Sequence, residues 1–334
     1  VCDVMPLRKL NRHIALKVLK NFNVNSNLAI KEIFNLNKKN TKLTINDLNF
    51  LVGPILNAGG RLGKSSYACE LLSSNSSKIV NIKANKLIEL NNKRKKIESL
   101  VINEIDFRKI ENENKNVIVY YKANINEGLI GIIAARLKEY FNKPAIVITN
   151  SNNLLKGSAR SAHNYNIGRA IKNLIFNDIV ISGGGHNMAA GFTMEKSKLQ
   201  KFNDFIINDF SNTGNCIDND YVYDGEVSSL ALNHSFCKDI NILEPFGAGN
   251  PEPIFLLKNL KIIKSTIMAY NHISLILKST PGKSLNAICF NSVNTKVGKY
   301  LLNYKDNLNV LAQINENYWN NKKTLQLTIR DLIL

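Results

Sequence analysis

The chain has 334 residues, 44% of them hydrophobic, which is enough for ordinary buried cores and, at about 100–150 residues per domain, points to two or three compact units. Its formal net charge is +18, an excess that usually meets polyanions, most often nucleic acid, although a composition rich in Asn, Lys and Ile raises the charge by itself. No apolar run approaches the roughly 20 residues of a membrane span and no signal peptide is visible; five scattered cysteines (Cys2, Cys69, Cys216, Cys237, Cys289) without a CxxC pair argue against a disulfide framework or thiolate zinc site and for a reducing cytoplasm.

The sequence opens on Val1-Cys2-Asp3 without an initiator Met, directly in an apolar segment, and so reads as truncated. Over residues 1–72 short apolar runs alternate with polar turns. Leu51-Val52-Gly53-Pro54 ends one element, Asn57-Ala58-Gly59-Gly60-Arg61 forms a glycine turn, and Ser65 to Leu72 is a helix with Ser65 as N-cap. Residues 76–112 read as one long helix. Ile79, Ile82, Leu87, Leu90, Ile97, Leu100, Val101 and Ile105 form an irregular apolar stripe around the cationic run Lys93-Arg94-Lys95-Lys96, and no Pro or Gly interrupts it. A helix polar on most sides often bridges two domains.

Residues 117–212 read as α/β. Strands are expected at Val117–Tyr121, Pro144–Thr149, Lys156–Ser161, Ile179–Ser182 and Met188–Thr193, with helices at Gly128–Tyr140, Asn166–Phe176 and Leu199–Phe210. Ser211 to Asp220 is polar and reads as a linker. The remainder changes character: short alternating runs at 221–224, 254–257, 260–263, 273–277, 285–290, 309–313 and 324–329 predict a small all-β barrel.

Several stretches carry candidate chemistry. Gly183-Gly184-Gly185-His186 follows an apolar run. It reads either as a backbone N–H cradle for an anion with an imidazole donor, or as a tight turn before a core histidine. In Lys156-Gly157-Ser158-Ala159-Arg160-Ser161, an extended chain points Ser158 and Arg160 the same way, a hydroxyl and guanidinium suited to phosphate oxygens. Taken alone, the stretch is more simply an exposed strand with one salt-bridged Arg. Arg61, presented by its glycine turn before a helix start, is an anion site or a surface Arg. Asp3 ends an apolar strand and could ligate a hard cation, but one Asp forms no site, and the chain holds no DxD and no Asp-His-His. Glu244–Pro253, with three prolines and two glycines, is an ordered structural loop, and Asn126-Glu127-Gly128 caps a helix. In the β unit, Tyr270, Phe290, Tyr318 and Trp319 stand among Lys258, Lys261, Lys264, Lys322, Lys323 and Arg330, a mixture that suits unpaired bases as well as a barrel core.

Taken in order, these segments resemble the RecJ branch of the DHH phosphoesterases. Val1–Leu7 is similar to that family's strand with a metal-binding Asp, Gly53–Gly63 to its GPxxNAxGR motif, and Leu90–Glu98 to the LNxxRxxIE of its connecting helix. Gly128–Pro144 is similar to GxxGIxAxRLxExxxxP, Ser158–Ser161 to SxRS, Gly184–Gly191 to GGHxxAAG, and Glu244–Pro253 to EPFGxGNPEP. The resemblance implies α/β plus all-β architecture: the tail of a DHH domain (1–75), a connecting helix (76–114), a DHHA1 domain (115–212) and a C-terminal OB-fold barrel (218–334). It implies hydrolysis of single-stranded DNA from the 5′ end with Mn2+ or Mg2+, in recombination and repair. It implies Asp3 as a metal ligand, and Arg61, Ser158, Arg160, Ser161, Gly184, Gly185 and His186 as substrate-phosphate ligands, with His186 and Arg160 catalytic. Implied partners are single-stranded DNA, a single-strand-binding protein and a helicase; the protein would be a cytoplasmic monomer without membrane contact. The family's DxD and Asp-His-His motifs are missing here, so this chain alone is expected to hold no metal pair and to be inactive, and Asn126 stands where relatives often place His. Two other readings are a small oligonucleotide or cyclic-dinucleotide phosphodiesterase sharing the same two domains, which would end before residue 221, and a non-catalytic single-strand-binding module.

Overall fold

The computed structural model describes residues 5–39, 42–213, 222–268, 271–279, 282–293, 295–303, 307–319 and 322–333. The chain divides into two compact units, Asn23–Asn219 and Val1–Phe22 with Asp220–Leu334. The first helix, α1 (Lys9–Asn21), belongs to the second of these.

Residues 23–113 are helical. Helix α2 (Leu28–Leu36) starts at Asn27, whose Oδ1 accepts from Ile30 N at 3.0 Å. Helix α3 (Ile45–Asp47) starts on a reciprocal box, in which Thr44 Oγ1 accepts from Asp47 N and Asp47 Oδ2 from Thr44 N, each at 3.1 Å. The expected break at Leu51–Pro54 is absent. The chain passes through a wide π turn (Leu48–Val52) directly into α4 (Gly53–Arg61), and this puts Pro54 in a first turn, where its missing N–H costs nothing. The Asn57–Arg61 glycine turn is likewise helix. The true turn follows at Gly63, with φ +75, and Lys64 N closes back on Gly59 O at 2.7 Å. Gly59 serves packing: a Cβ there would collide with Lys64 O and come within 3.3 Å of Leu87 of α6.

Helix α5 (Ser66–Ser73) leads to α6 (Ser77–Asn103), which buries Val80, Ala84, Leu87 and Val101. The single helix expected to residue 112 ends here. Asp106 leaves helical geometry and its carboxylate caps a new helix, α7 (Phe107–Glu113), accepting from Lys109 N at 3.0 Å. The absence of Pro and Gly was not enough, because a capping side chain competes with helix continuation. On α6, buried Glu98 accepts from Arg94 Nη1 at 2.9 Å and from Arg136 Nε at 3.0 Å, while Arg94 Nε donates to Asn91 Oδ1 at 3.1 Å.

The α/β part comprises β1 (Ile118–Tyr121), α8 (Ile130–Phe141), β2 (Ala145–Ser151), β3 (Leu154–Arg160), α9 (Ile167–Phe176), β4 (Ser182–His186), β5 (Ala189–Met194) and α10 (Leu199–Asn212). The sheet order is β1-β2-β3-β5-β4, parallel between β1 and β2 and antiparallel elsewhere. One face packs Ile146, Ile148, Leu155, Phe192 and Met194 under α9 and α10 through Ile171, Leu174, Phe202 and Ile206. The other packs Ala145 and Val147 under Ile133, Ala134 and Leu137 of α8, with Val101 of α6 in the same cluster. Glu98 and Arg136 therefore tie α6 to the helix that roofs this second face.

The second unit continues with β6 (Gly225–Glu226), α11 (His234–Asn241), β7 (Phe255–Met268), β8 (His272–Ser279), β9 (Ser284–Cys289), α12 (Lys296–Asn303), β10 (Asn307–Trp319) and β11 (Lys322–Ile333). Strands β7-β8-β9-β11-β10 close when β10 pairs back on β7, with β9 and β11 parallel. That is a five-stranded barrel in the OB order, with α12 between its third and fourth strands. Leu260, Ile273, Leu275, Leu277, Leu285, Ala287, Val310 and Leu327 fill it by strict alternation. The runs expected separately at 254–257 and 260–263 are one strand. The polar pair Lys258-Asn259 between them marks a bulge: Asn259 has φ 55 and its N–H donates to Asn309 Oδ1 at 3.1 Å, at the register shift. The Glu244–Pro253 loop grips the chain's opening segment, as Leu7 N donates to Ala248 O at 2.6 Å, Arg8 Nε to Gly249 O at 2.8 Å and Arg12 Nη2 to Glu244 O at 2.8 Å. The Ser211–Asp220 linker lies largely outside the described residues, as does Tyr270.

Glu98→Ala should lower the unfolding free energy by about 3 kcal/mol, because it leaves the largely covered Arg94 guanidinium without its counter-charge. Urea unfolding followed by circular dichroism measures this, and a loss under about 1 kcal/mol would mean that the cluster contributes no more than a surface pair.

Candidate phosphate-binding site

Antiparallel pleating sends alternate side chains of β3 to the α8 face, so Lys156, Ser158 and Arg160 form a row with about 6.8 Å between successive members. Arg160 Nη1 donates to Ser158 Oγ at 3.2 Å and to Ala159 O at 2.8 Å. Over them lies the first turn of α8, close enough that a Cβ on Gly131 would stand 3.0 Å from both Arg160 Nη2 and Ser158 Oγ. The loop before α8 meets the end of α4 with equal closeness, since a Cβ on Gly128 would collide with the backbone carbonyl of Arg61. Arg61 Nη1 in turn donates to Gly128 O at 3.2 Å.

That loop is fixed from below. Buried Thr149 of β2 accepts from Ile125 N at 3.1 Å and donates to Ile125 O at 2.9 Å, and Asn126 Oδ1 accepts from Gly128 N at 2.9 Å. The result brings Arg61 and Arg160 together from a helix end and a strand far apart in sequence. Burial, and secondly the charge of Arg61, holds the Arg160 guanidinium below its ordinary pKa. Among the described residues neither guanidinium has a carboxylate partner, whereas Arg94 and Arg136 do. Two half-buried like charges with no carboxylate partner among the described residues have the chemistry to receive an anion.

Gly183-Gly184-Gly185-His186 departs from expectation. It is not a turn after a strand; it is itself the edge strand β4, and none of its glycines has positive φ, so there is no nest. The glycines act by lacking side chains. At Gly183 a Cβ would press on Gly191 O at 2.8 Å and on Ile171 of α9 at 3.0 Å, and at Gly185 it would strike Ala189 and Ala190. Gly184 faces the opposite way, with nothing within 4 Å of a Cβ; it pairs with Gly191 of β5, which pairs with Ser158. One step along, His186 pairs with Ala189 and Ala189 with Arg160. The sheet thus offers a floor of Gly184, Gly191 and Ala189. Arg160 bounds it on one side and exposed His186 on the other, at Cα positions about 10 Å apart by strand spacing.

Of the residues singled out from sequence, Arg61, Ser158, Arg160, Gly184 and His186 come to this one face. Gly185 turns its Cα toward α9. Ser161 must be corrected: it is 1% exposed and its hydroxyl donates to Tyr165 O, so it is not available to an anion. Asp3 lies outside the described residues. Among the described residues no group of His, Cys, Asp or Glu could hold a metal ion. The described residues therefore do not by themselves fit a metal centre. No described helix is long and apolar enough to cross a membrane. Sequence reasoning missed Gly131, Gly191 and Thr149. Only the spacing of Gly128 and Gly131 at a helix start hinted at a close approach there.

Known proteins share the domains and the fold. The DHHA1 domain family matches residues 114–212 and the RecJ OB domain family residues 223–331. The single-stranded-DNA-specific exonuclease RecJ of Bacillus subtilis is 28% identical over 99% of this chain and 42% of its own length, and that of Haemophilus influenzae is 29% identical over 98% of this chain and 59% of its own. The chain thus spans about half the length of these curated relatives. Crystal structures of RecJ from Thermus thermophilus in complex with Mn2+ and with Mg2+ share the fold, with TM-scores of 0.80 and 0.79 at 21% identity, covering 100% and 99% of this chain and 48% and 50% of theirs. With a DHHA1 domain and a RecJ OB domain in succession and RecJ relatives alike over nearly its whole length, the chain is a RecJ-type DHH/DHHA1 protein.

Proposed function

We propose that this chain is the substrate-gripping part of a single-stranded-DNA-specific 5′-to-3′ exonuclease, and that its α8-face site receives the 5′-terminal phosphate. The observation that carries the reading is the pair of half-buried guanidiniums, Arg61 and Arg160, which share a roof of glycines and lack a carboxylate partner among the described residues. A phosphate between them would accept charge-assisted bonds from Arg61 and Arg160 and a further bond from Ser158 Oγ. The glycine floor lets a sugar-phosphate chain lie close to the sheet, and His186 at its far edge would donate to a following phosphate oxygen. His186 and Arg160 are the groups placed to polarise the substrate. The OB barrel downstream would hold unpaired bases, its usual ligand class.

In the complete protein the reaction would use Mn2+ or Mg2+, the ions bound in the Thermus structures, with Asp3 as one ligand. Residues 1–75 would complete a DHH domain, 76–114 connect it to a DHHA1 domain at 115–212, and 218–334 form the OB domain. A cytoplasmic setting, monomeric state, and a single-strand-binding protein and a helicase as partners follow the same reading, with roles in DNA recombination and repair. The small-phosphodiesterase alternative is disfavoured by the RecJ OB match at 223–331.

In the full-length protein, Arg160→Ala should cut turnover of 5′-phosphorylated single strands about tenfold or more, the loss expected when a charge-assisted hydrogen bond to phosphate is removed. Turnover that stays at the wild-type rate contradicts the phosphate role. Gly131→Ala should act on the same site from above. Its methyl displaces the Arg160 guanidinium, so affinity for a 5′-phosphorylated oligonucleotide should fall several-fold, on the order of 1 kcal/mol, with the circular dichroism spectrum unchanged. Undiminished binding would mean that Arg160 acts from another position.

A further inference from the structure

Lys156 shares the β3 row with Ser158 and Arg160 but differs from the guanidiniums in having a counter-ion. Its Nζ lies 2.9 Å from Glu127 Oε2. Glu127 is held by a second partner, Ser151 at the end of β2; the Ser151 hydrogen bond first, and Lys156 second, keep its carboxyl below the ordinary range. The residue directly precedes Gly128, whose carbonyl accepts from Arg61. Glu127, Arg61 and Lys156 therefore line the same open pocket, together with Asn126 and Asn150. A fixed carboxylate thus stands beside an otherwise cationic site, where an anion-binding pocket gains nothing from it.

We propose that Glu127 is a specificity-determining residue, a fixed negative charge that ends the cationic row after one phosphate, so that the site accepts a 5′-monophosphate and rejects a 5′ end bearing further phosphates. This rests on the phosphate reading given above. Without a counter-charge, the β3 row would put a cation at each end, Lys156 and Arg160, roughly 14 Å apart with the Ser158 hydroxyl between them, and so would accommodate more than one phosphate. With Glu127 in place, the Lys156 ammonium has a carboxylate 2.9 Å away, and any phosphate beyond the first meets a carboxylate that also has Ser151 as a partner. Placing like charges together is a common way to build selectivity, since the cost falls on the wrong ligand alone.

The test compares the affinity of the 334-residue chain for one short single-stranded oligonucleotide ending in 5′-hydroxyl, 5′-monophosphate or 5′-triphosphate. Wild type should bind the monophosphate about tenfold more tightly than the triphosphate, as a like-charge contact of about 1.4 kcal/mol gives. Glu127→Gln keeps the shape of the side chain and should bring that ratio toward unity or reverse it. Glu127→Asp, which keeps the charge, and Lys156→Met, which removes the cation and leaves the carboxylate, should both retain the preference. An unchanged ratio in Glu127→Gln, or a wild type indifferent to the extra phosphates, overturns the proposal. A ratio lost equally in Glu127→Asp also overturns it, because the effect would then be structural. Equal wild-type affinity for hydroxyl and monophosphate ends would instead sink the underlying phosphate reading, so the two failures are distinct.

Discussion

Two arginines held close together, each partly stripped of water, set the terms for the α/β unit. Burial and the neighbouring charge of Arg61 both weigh against the charged form of Arg160, and the fold must supply that cost from elsewhere. The supply is visible. Arg61 is delivered by a helix whose Gly59 seats it against Leu87 of α6. Arg160 is delivered by a strand locked between β2 and β5. The roof over both is anchored by Thr149 under the loop before α8 and by the Glu98–Arg136 pair between α6 and α8.

The glycines make sense in the same frame. Only Gly63, among those around the site, needs a left-handed backbone. Gly128 and Gly131 are required because another chain segment occupies the space of a side chain, and Gly184 and Gly191 because the space must stay empty. Absence of a Cβ lets the roof descend on Arg160 and keeps the floor beside it flat. The same residue type closes one side of the site and opens the other.

Much of this was legible in the sequence. Period-two and helical patterns located most strands of the α/β part and the barrel and the helices α5, α6, α8, α9 and α10, but not α1 to α4, α7, α11 or α12; SxR spacing on an extended strand placed Ser158 and Arg160 on one face. The failures have local physical causes. Pro54 looked like a terminator, because a π turn that tolerates it leaves no simple pattern. The 76–112 helix looked unbroken, because the break is made by Asp106 capping and not by a breaker residue. Gly183–Gly185 looked like a turn, because extended glycine under a packed helix and flexible glycine in a loop have the same one-letter record. Ser161 looked equivalent to Ser158, but the strand ends between them and the hydroxyl is drawn inward to Tyr165.

Charge shows the limit of composition most clearly. The chain has 44 Lys and Arg against 26 Asp and Glu, so a cation alone marks nothing; most surface patches would qualify. The acidic residues discriminate. Lys86, Lys115, Lys122, Lys258 and Lys323 each have a carboxylate within reach, and Arg94 and Arg136 share Glu98. Arg61 and Arg160 are half-buried, where an unpaired charge is costly, and the described residues offer them none. Lys156, at the other end of the same β3 row, has Glu127. In a strongly basic protein, the position of an anion site follows from where carboxylates are withheld from cations that burial would otherwise oblige them to meet.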